Sequence, residues 1–116
     1  MDRRFTLKRN GDFSRAYTKG KNLVHGSLVT YVFRRRKGRM RVGITTSKKI
    51  GGAVQRNRAR RVIRAAFDGL PVDTSRPVDI VFVARSATTR LKMQKIQKVM
   101  EKQLSSAGLL LTEKEN

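Results

Sequence analysis

The chain has 116 residues, which is enough for one domain with a modest core. Hydrophobic residues make up 38% and aromatic residues 6% of the sequence, and the apolar residues fall in periodic runs, which favours a folded domain over a disordered chain. The formal net charge is +20, from 28 Lys and Arg against 8 Asp and Glu. A compact domain with this excess repels itself unless a polyanion is bound, so nucleic acid is the favoured partner.

The basic residues are concentrated in the first part of the chain. Residues 1–64 contain 20 basic and 2 acidic residues, whereas residues 65–116 contain 8 basic and 6 acidic residues. This asymmetry indicates that the charge forms a single binding surface. An anionic membrane is the alternative partner, but it favours an amphipathic helix with Trp or Phe anchors, and the chain has no Trp. The chain lacks Cys and any apolar run as long as a membrane span or signal peptide, so we expect a cytoplasmic protein with no disulfide, thiolate metal site or membrane partner.

The first predicted element is a short helix. It begins at Asn10, whose side chain can cap it, and runs to Tyr17 before Gly20 ends it. Phe13 and Ala16 share one face of this helix with Tyr17, so the helix is expected to pack through that face.

Two strands are predicted next, over residues 27–33 and 41–46, because both segments are rich in β-branched or alternating apolar residues. The intervening residues 34–39 are polar and include Lys37-Gly38, which predicts a hairpin with a solvated basic turn. A short strand fragment around Leu23-Val24 precedes them.

The second half alternates helix, strand and helix. A helix is predicted over residues 53–68, an interior strand over 79–84, and a second long helix over 89–107 that Gly108 ends. The order α-β-β-β-α-β-α predicts a single α+β domain over residues 1–116, a small α–β sandwich with three helices and a mixed sheet of about four strands. Residues 112–116 are expected to fray.

The helix over residues 53–68 has one apolar side and one basic side. At about 100° per residue, Ala59, Val62, Ile63 and Ala66 form the apolar stripe. The opposite arc consists of Arg56, Asn57, Arg60, Arg61 and Arg64, with Arg58 at its edge. Like charges spaced i, i+4 destabilise an isolated helix, and no acidic residue lies between Asp12 and Asp68 to relieve them. A solvated, solubilising face is the alternative, but it would be served by mixed Lys and Glu, whereas Arg offers a planar phosphate-binding fork.

Two further features favour a nucleic-acid site. The lead-in Lys48-Lys49-Ile50-Gly51-Gly52 meets the helix N-terminus, where backbone N–H groups favour a phosphate, although a plain loop gives the same pattern. The aromatic residues Phe13, Tyr17 and Tyr31 are candidates for stacking on unpaired bases, with a core role as the alternative.

The stretch from Arg41 to Arg64, RVGITTSKKIGGAVQRNRARRVIR, closely resembles the protein subunit of bacterial ribonuclease P. In that family an RVGxxxSKKxGxAVxRN run leads into an arginine-rich RNR helix. The resemblance extends over nearly the whole chain. It includes the early Asp12-Phe13, Tyr17 and Gly20 pattern, the aromatic second strand and the strand from Asp79 to Arg85.

The resemblance implies a fold with a left-handed crossover around the RNR helix and a role in removing the 5′ leader from precursor tRNA. It implies that a catalytic RNA partner performs the hydrolysis with Mg²⁺ that the RNA holds, and that one protein monomer joins one RNA. The implied contacts to the catalytic RNA are Lys48, Lys49, Arg56, Asn57, Arg58, Arg60, Arg61 and Arg64. The implied contacts to the single-stranded leader are Phe13, Tyr17 and Tyr31.

Three positions depart from the family pattern. Gly52 stands where the family usually has Asn, so a side-chain contact at the helix entrance is absent, and Ala59-Arg60 replaces a more usual Ile-Lys pair. Arg60 keeps the charge, although Arg and Lys are not equivalent at a shaped site.

No catalytic or metal-binding group is predicted in the protein itself. Hydrolysis of a phosphodiester needs clustered carboxylates with metals or a positioned acid and base. His25 is the sole histidine and is interpreted as a loop or strand-edge residue, while Asp68, Asp73 and Asp79 are interpreted as cap and turn residues. Rival interpretations are a structural ribosomal or RNA-chaperone protein, a nucleoid-type DNA binder and a freestanding protein nuclease.

Overall fold

The computed structural model describes residues 6–111, which form three α-helices, a four-stranded mixed sheet and two short 3-10 turns. In chain order the elements are α1 (Asn10–Lys19), β1 (Lys21–His25), β2 (Leu28–Arg34), β3 (Arg41–Thr45), a turn at Lys48–Ile50, α2 (Ala53–Asp68), β4 (Val78–Ala84), a turn at Ser86–Thr89 and α3 (Met93–Ser106). This confirms the predicted α+β class and the predicted order of helices and strands. The short fragment predicted near Leu23 is the five-residue strand β1.

Strand β4 lies inside the sheet, whose spatial order is β1-β2-β4-β3. It pairs antiparallel with β2 and parallel with β3. The predicted hairpin between β2 and β3 is therefore wrong, because β4 separates them. Six of the seven residues of β4 are buried. A central position therefore removes the most apolar surface of this strand from water, which stabilises the fold. The chain's hairpin joins β1 to β2 instead, while the loop after β2 bonds to the segment that enters β4.

The two faces of the sheet support different helices. On one face Ile80 and Phe82 of β4 pack in the main core with α2 and α3, whereas Val81 packs on the other face with Ala16 of α1. The predicted apolar stripe of α2 is confirmed: Ala59, Val62, Ile63 and Ala66 are all buried, together with Phe67. Helix α2 makes the crossover between the parallel strands β3 and β4; its left-handedness remains a prediction from the resemblance.

Two predicted helix starts differ from the structure. Arg9 is the N-cap of α1 and makes no side-chain capping bond, so the predicted Asn10 cap is wrong. Helix α3 begins at Met93 rather than at residue 89, because Thr88 holds the preceding segment in a 3-10 turn: its hydroxyl accepts from the Arg85 N–H and donates to the Ser27 carbonyl. Gly108 ends α3 as predicted, with a φ of +72°. The predicted fraying of 112–116 lies outside the described residues.

A buried ionic network joins the sheet to helix α1 at one end of the sheet. Asp79 is fully buried in β4, where it accepts from Arg35 Nε at 2.9 Å and from Arg41 Nε and Nη2 at 2.8 Å each. Arg41 also reaches Asp12 of α1, with Nη1 3.3 Å from Oδ2. The interpretation of Asp79 as a turn residue is therefore wrong. The hydrogen bonds to Asp79 raise the pKa of Arg41, so this guanidinium stays charged and ties β3 to β4 and α1.

Asp79→Asn should destabilise the fold by about 3 kcal/mol, because two guanidinium groups lose the charge that compensates their burial. The measurement is urea unfolding at neutral pH, with the exposed Glu101→Gln as a charge-matched control that should stay within about 0.5 kcal/mol of the parent. Equal stability of the two variants would show that the network contributes little.

Candidate nucleic-acid interface

Helix α2 carries most of the predicted basic site, and its limits agree with the prediction. Gly51 has a φ of +141°, a conformation that favours glycine, and Gly52 is the N-cap, while Gly69 follows the last turn. We call the predicted basic set the arginine face: Lys48, Lys49, Arg56, Asn57, Arg58, Arg60, Arg61 and Arg64. All of its members are exposed except Arg56, which is half-buried.

The arginine face is not uniform. Arg58 Nε donates to the Thr89 carbonyl at 3.2 Å, so this side chain is held against the 3-10 turn before α3. Within residues 6–111, Arg60, Arg61 and Arg64 make no ion pair and no side-chain hydrogen bond. Arg60 and Arg64 lie one turn apart on the side of α2 away from Arg58. Their uncompensated charge makes this side the one that an anion would stabilise most.

The two lysines of the arginine face lie on the turn that precedes α2. Ser47 caps this turn, since its hydroxyl accepts from the Lys49 N–H at 3.3 Å. No side chain caps α2 itself, because Gly52 has none, as the sequence indicated. Three features are thus adjacent along the chain: the exposed lysines, a helix N-terminus without a capping side chain, and the arginines of the first turns of α2.

The three predicted aromatic residues come together on the opposite face of the sheet. The rings of Tyr17 and Tyr31 meet edge to face, with centroids 5.0 Å apart, and the Tyr17 hydroxyl lies 3.4 Å from Thr45 Oγ1. Tyr17 is 39% exposed. With Phe13 and Thr45 it lines a cavity of about 400 Å³, which we call the aromatic cleft; Asn10 and Ser14 complete its lining. Tyr31 is half-buried and is not part of that lining, so it supports the Tyr17 ring from behind.

Gly43 of β3 determines where the Phe13 ring lies. A Cβ at this position would stand 2.6 Å from two ring carbons of Phe13 and 3.2 Å from Leu7 Cβ. The glycine therefore lets the ring lie directly on the backbone of β3. Sequence reasoning did not single out Gly43 or Thr45, because their roles depend on contacts with α1 that no local pattern reveals.

The aromatic cleft and the arginine face meet at the edge of β3. A second cavity of about 490 Å³ is lined by Phe13 and Leu7 on one side and by Arg60 and Arg64 on the other, with Thr6, Val42 and Ile44 between them. Phe13 lines both cavities. A ligand in the aromatic cleft would thus come within reach of Arg60 and Arg64, which have no ion-pair partner within residues 6–111.

The remaining titratable groups do not form a cluster around these cavities. Across residues 6–111, no three His, Asp or Glu side chains are close enough together to hold a metal ion. His25 ends β1 and pairs through Nδ1 with the Ser27 hydroxyl at 2.9 Å, which agrees with its interpretation as a strand-edge residue. Asp73 accepts from both the hydroxyl and the backbone N–H of Ser75, and these bonds lower its pKa, as expected of a turn residue. None of the helices in this part of the chain is both long and apolar enough to span a membrane.

Comparison with known proteins identifies the family. The family model described as Ribonuclease P matches residues 1–108. The chain belongs to this family. Curated ribonuclease P protein components from Clostridium kluyveri and Oceanobacillus iheyensis are each 34% identical to it; the alignments cover 90% and 95% of this chain and 96% and 92% of the relatives.

Solved structures of the ribonuclease P family have the same fold. The Staphylococcus aureus RNase P protein, at 31% identity, superimposes with a TM-score of 0.78 over 92% of this chain and 98% of that one. The Thermotoga maritima RNase P protein, at 23% identity, shows the likeness of fold alone, with a TM-score of 0.73 over 87% and 96% of the two chains. The chain is therefore the protein component of ribonuclease P, a tRNA-processing ribonucleoprotein, which implies a role in 5′ processing and partnership with the ribonuclease P RNA.

Proposed function

We propose that this ribonuclease P protein binds the catalytic RNA through the arginine face and the single-stranded leader of precursor tRNA through the aromatic cleft, and that it supplies no catalytic group. One monomer would join one RNA. The observation that carries the proposal is the meeting of the two surfaces at Phe13, where an aromatic ring and two uncompensated arginines line one cavity.

The arginine face suits a folded RNA. Guanidinium groups bind phosphates through two parallel N–H donors, and each phosphate neutralised releases counterions. Arg60, Arg61 and Arg64 have no internal partner within residues 6–111, so contact with RNA would cost them no existing ion pair. Arg58 differs, because it must either keep its bond to the Thr89 carbonyl or exchange it for a phosphate.

The aromatic cleft suits an unpaired strand. Its exposed Tyr17 ring is held in place by Tyr31 and Thr45, so a base can stack on it without first ordering the side chain. Mature tRNA lacks the leader, so contacts in this cleft would favour precursor over product. This is differential binding, and it would raise selectivity without any chemistry in the protein.

The proposal assigns hydrolysis and Mg²⁺ to the RNA. The described residues offer no cluster of carboxylates or histidines suited to Mg²⁺. The protein's proposed part, which rests on its basic surface, is to reduce repulsion between the two RNAs. Bound Mg²⁺ would supply the activated water, and the basic surface would lower the concentration of Mg²⁺ that assembly needs.

The direct test is cleavage of precursor tRNA at low Mg²⁺ by a bacterial ribonuclease P RNA, with and without this protein. We expect the protein to stimulate 5′ cleavage strongly at low Mg²⁺ and weakly at high Mg²⁺. Protein without RNA should give no product. Cleavage by the protein alone would instead show that the chain carries the catalytic group.

Arg60→Ala combined with Arg64→Ala should weaken binding to the catalytic RNA and make its salt dependence shallower. Loss of two phosphate contacts predicts a decrease of about 1.5 in the slope of log K against log salt. Filter binding across a salt series measures this, and Arg36→Ala with Lys37→Ala, in the exposed loop after β2, is the matched control. An unchanged slope would remove these arginines from the interface.

Tyr17→Ala should reduce affinity for precursor tRNA about tenfold while leaving affinity for mature tRNA and assembly with the RNA unchanged, because one stacking surface is lost. Tyr17→Phe keeps the ring and gives up only the long hydrogen bond to Thr45, so it should behave like the parent. Adding Tyr31→Ala should deepen the loss by removing the ring's support. Equal losses for precursor and mature tRNA would contradict the assignment of the cleft.

A further inference from the structure

A groove separate from both surfaces runs between the edge strand β1 and helix α3. A cavity of about 550 Å³ and a smaller one of about 230 Å³ share His25, Lys98 and Val99, so they form one continuous groove. Leu23 contributes further aliphatic surface, while Val24, which also lines the groove, is 64% exposed and points to the opposite face of β1. The groove lies outside both of the cavities that Phe13 lines.

The inner wall of the groove is already fixed. Gln103 of α3 accepts from the Thr30 hydroxyl at 2.6 Å and donates to the carbonyls of Leu23 and Leu28, each at 3.0 Å. These three bonds hold α3 against the β1–β2 hairpin. A ligand therefore meets a preformed groove and does not have to order it.

The open edge of β1 supplies a second element of recognition. Within residues 6–111, β1 pairs only with β2, whereas the far edge of the sheet, β3, is partly covered by a bridge between Thr6 and Val42. An uncovered edge strand can accept another strand through main-chain hydrogen bonds, while adjacent pockets take alternate side chains. The aliphatic floor of the groove beside β1 provides such a pocket for the side chains of an added strand.

The rim of the groove carries three lysines and one acidic residue, Glu101, so it is basic on balance but differs chemically from the arginine face. Lys95, Lys98 and Lys102 form one stripe along α3, and within residues 6–111 none has an ion-pair partner. Helix α3 contains no Arg, whereas α2 contains no Lys. Lysine is a compact point charge that pairs with a carboxylate without the planar fork of Arg, and the lining has no Phe, Tyr or Trp on which a base could stack.

We propose that this groove binds an extended, acidic segment of a partner protein, which adds to β1 as a strand. Its apolar side chains would lie on Leu23 and Val99, on the side of the sheet that α3 covers, and its carboxylates would pair with the long, flexible side chains of the lysine stripe. A second copy of this chain does not fit, because two molecules that each carry a net charge of +20 repel one another.

The test uses the full chain and a fluorescein-labelled peptide of about ten residues in which Asp and Val alternate. We expect it to bind at least tenfold more tightly than a peptide in which Ser replaces Val at the same charge, because the floor is aliphatic. Hydrogen exchange of the β1 amides should slow on binding. Equal affinity for both peptides, or unchanged exchange in β1, would overturn the proposal.

Lys98→Glu combined with Lys102→Glu should lower peptide affinity about tenfold more than Arg36→Glu with Lys37→Glu, which makes the same charge change on the loop after β2. Circular dichroism verifies that both variants fold. In parallel, their affinities for the ribonuclease P RNA and precursor tRNA should be equal. A larger loss of RNA affinity in the groove variant would identify the groove as an RNA surface and overturn the proposal.

Discussion

The central position of β4 is the constraint on which the arrangement of the arginine face and the aromatic cleft depends. Its side chains alternate between two cores, with Phe82 against α2 and α3 and Val81 against α1. Because both faces must be covered, the basic helix and the aromatic helix lie on opposite sides of one sheet. The surfaces that they carry meet around a sheet edge, at β3, where Phe13 and Arg60 line one cavity.

Features that depend on neighbouring residues were predictable from the sequence. The limits of α2 are signalled by Gly51-Gly52 and by Gly69, and its helical period separates buried alanines and aliphatics from exposed arginines. The aromatic face of α1 follows from the same periodicity. The beginning of α3 was not predictable in this way, because the Thr88 hydroxyl bonds to Ser27, a residue distant in the chain, and holds residues 86–89 in a different turn.

Features that depend on distant residues were missed for a common reason. A polar loop between two strands favours a hairpin locally, but the pairing is decided by β4, which comes much later and is the most buried strand. An Asp at a strand start is typical of turns, yet Asp79 is buried inside the sheet and forms ion pairs with Arg35 and Arg41. Likewise, the helical period placed Arg58 at the edge of the basic arc, but its bond to the distant Thr89 carbonyl could not be predicted from the sequence.

The position of Phe13 between two cavities has a consequence for the proposed binding of two RNAs. Phe13 lines both cavities, so a ligand that restricts this ring on one side of β3 would change the free energy of binding on the other side. Thermodynamic linkage makes such an effect reciprocal. Under the proposed function, a substrate strand that strengthens binding of the catalytic RNA by some factor would have its own binding strengthened by that RNA by the same factor, and Phe13 would be the residue through which substrate recognition and assembly are coupled.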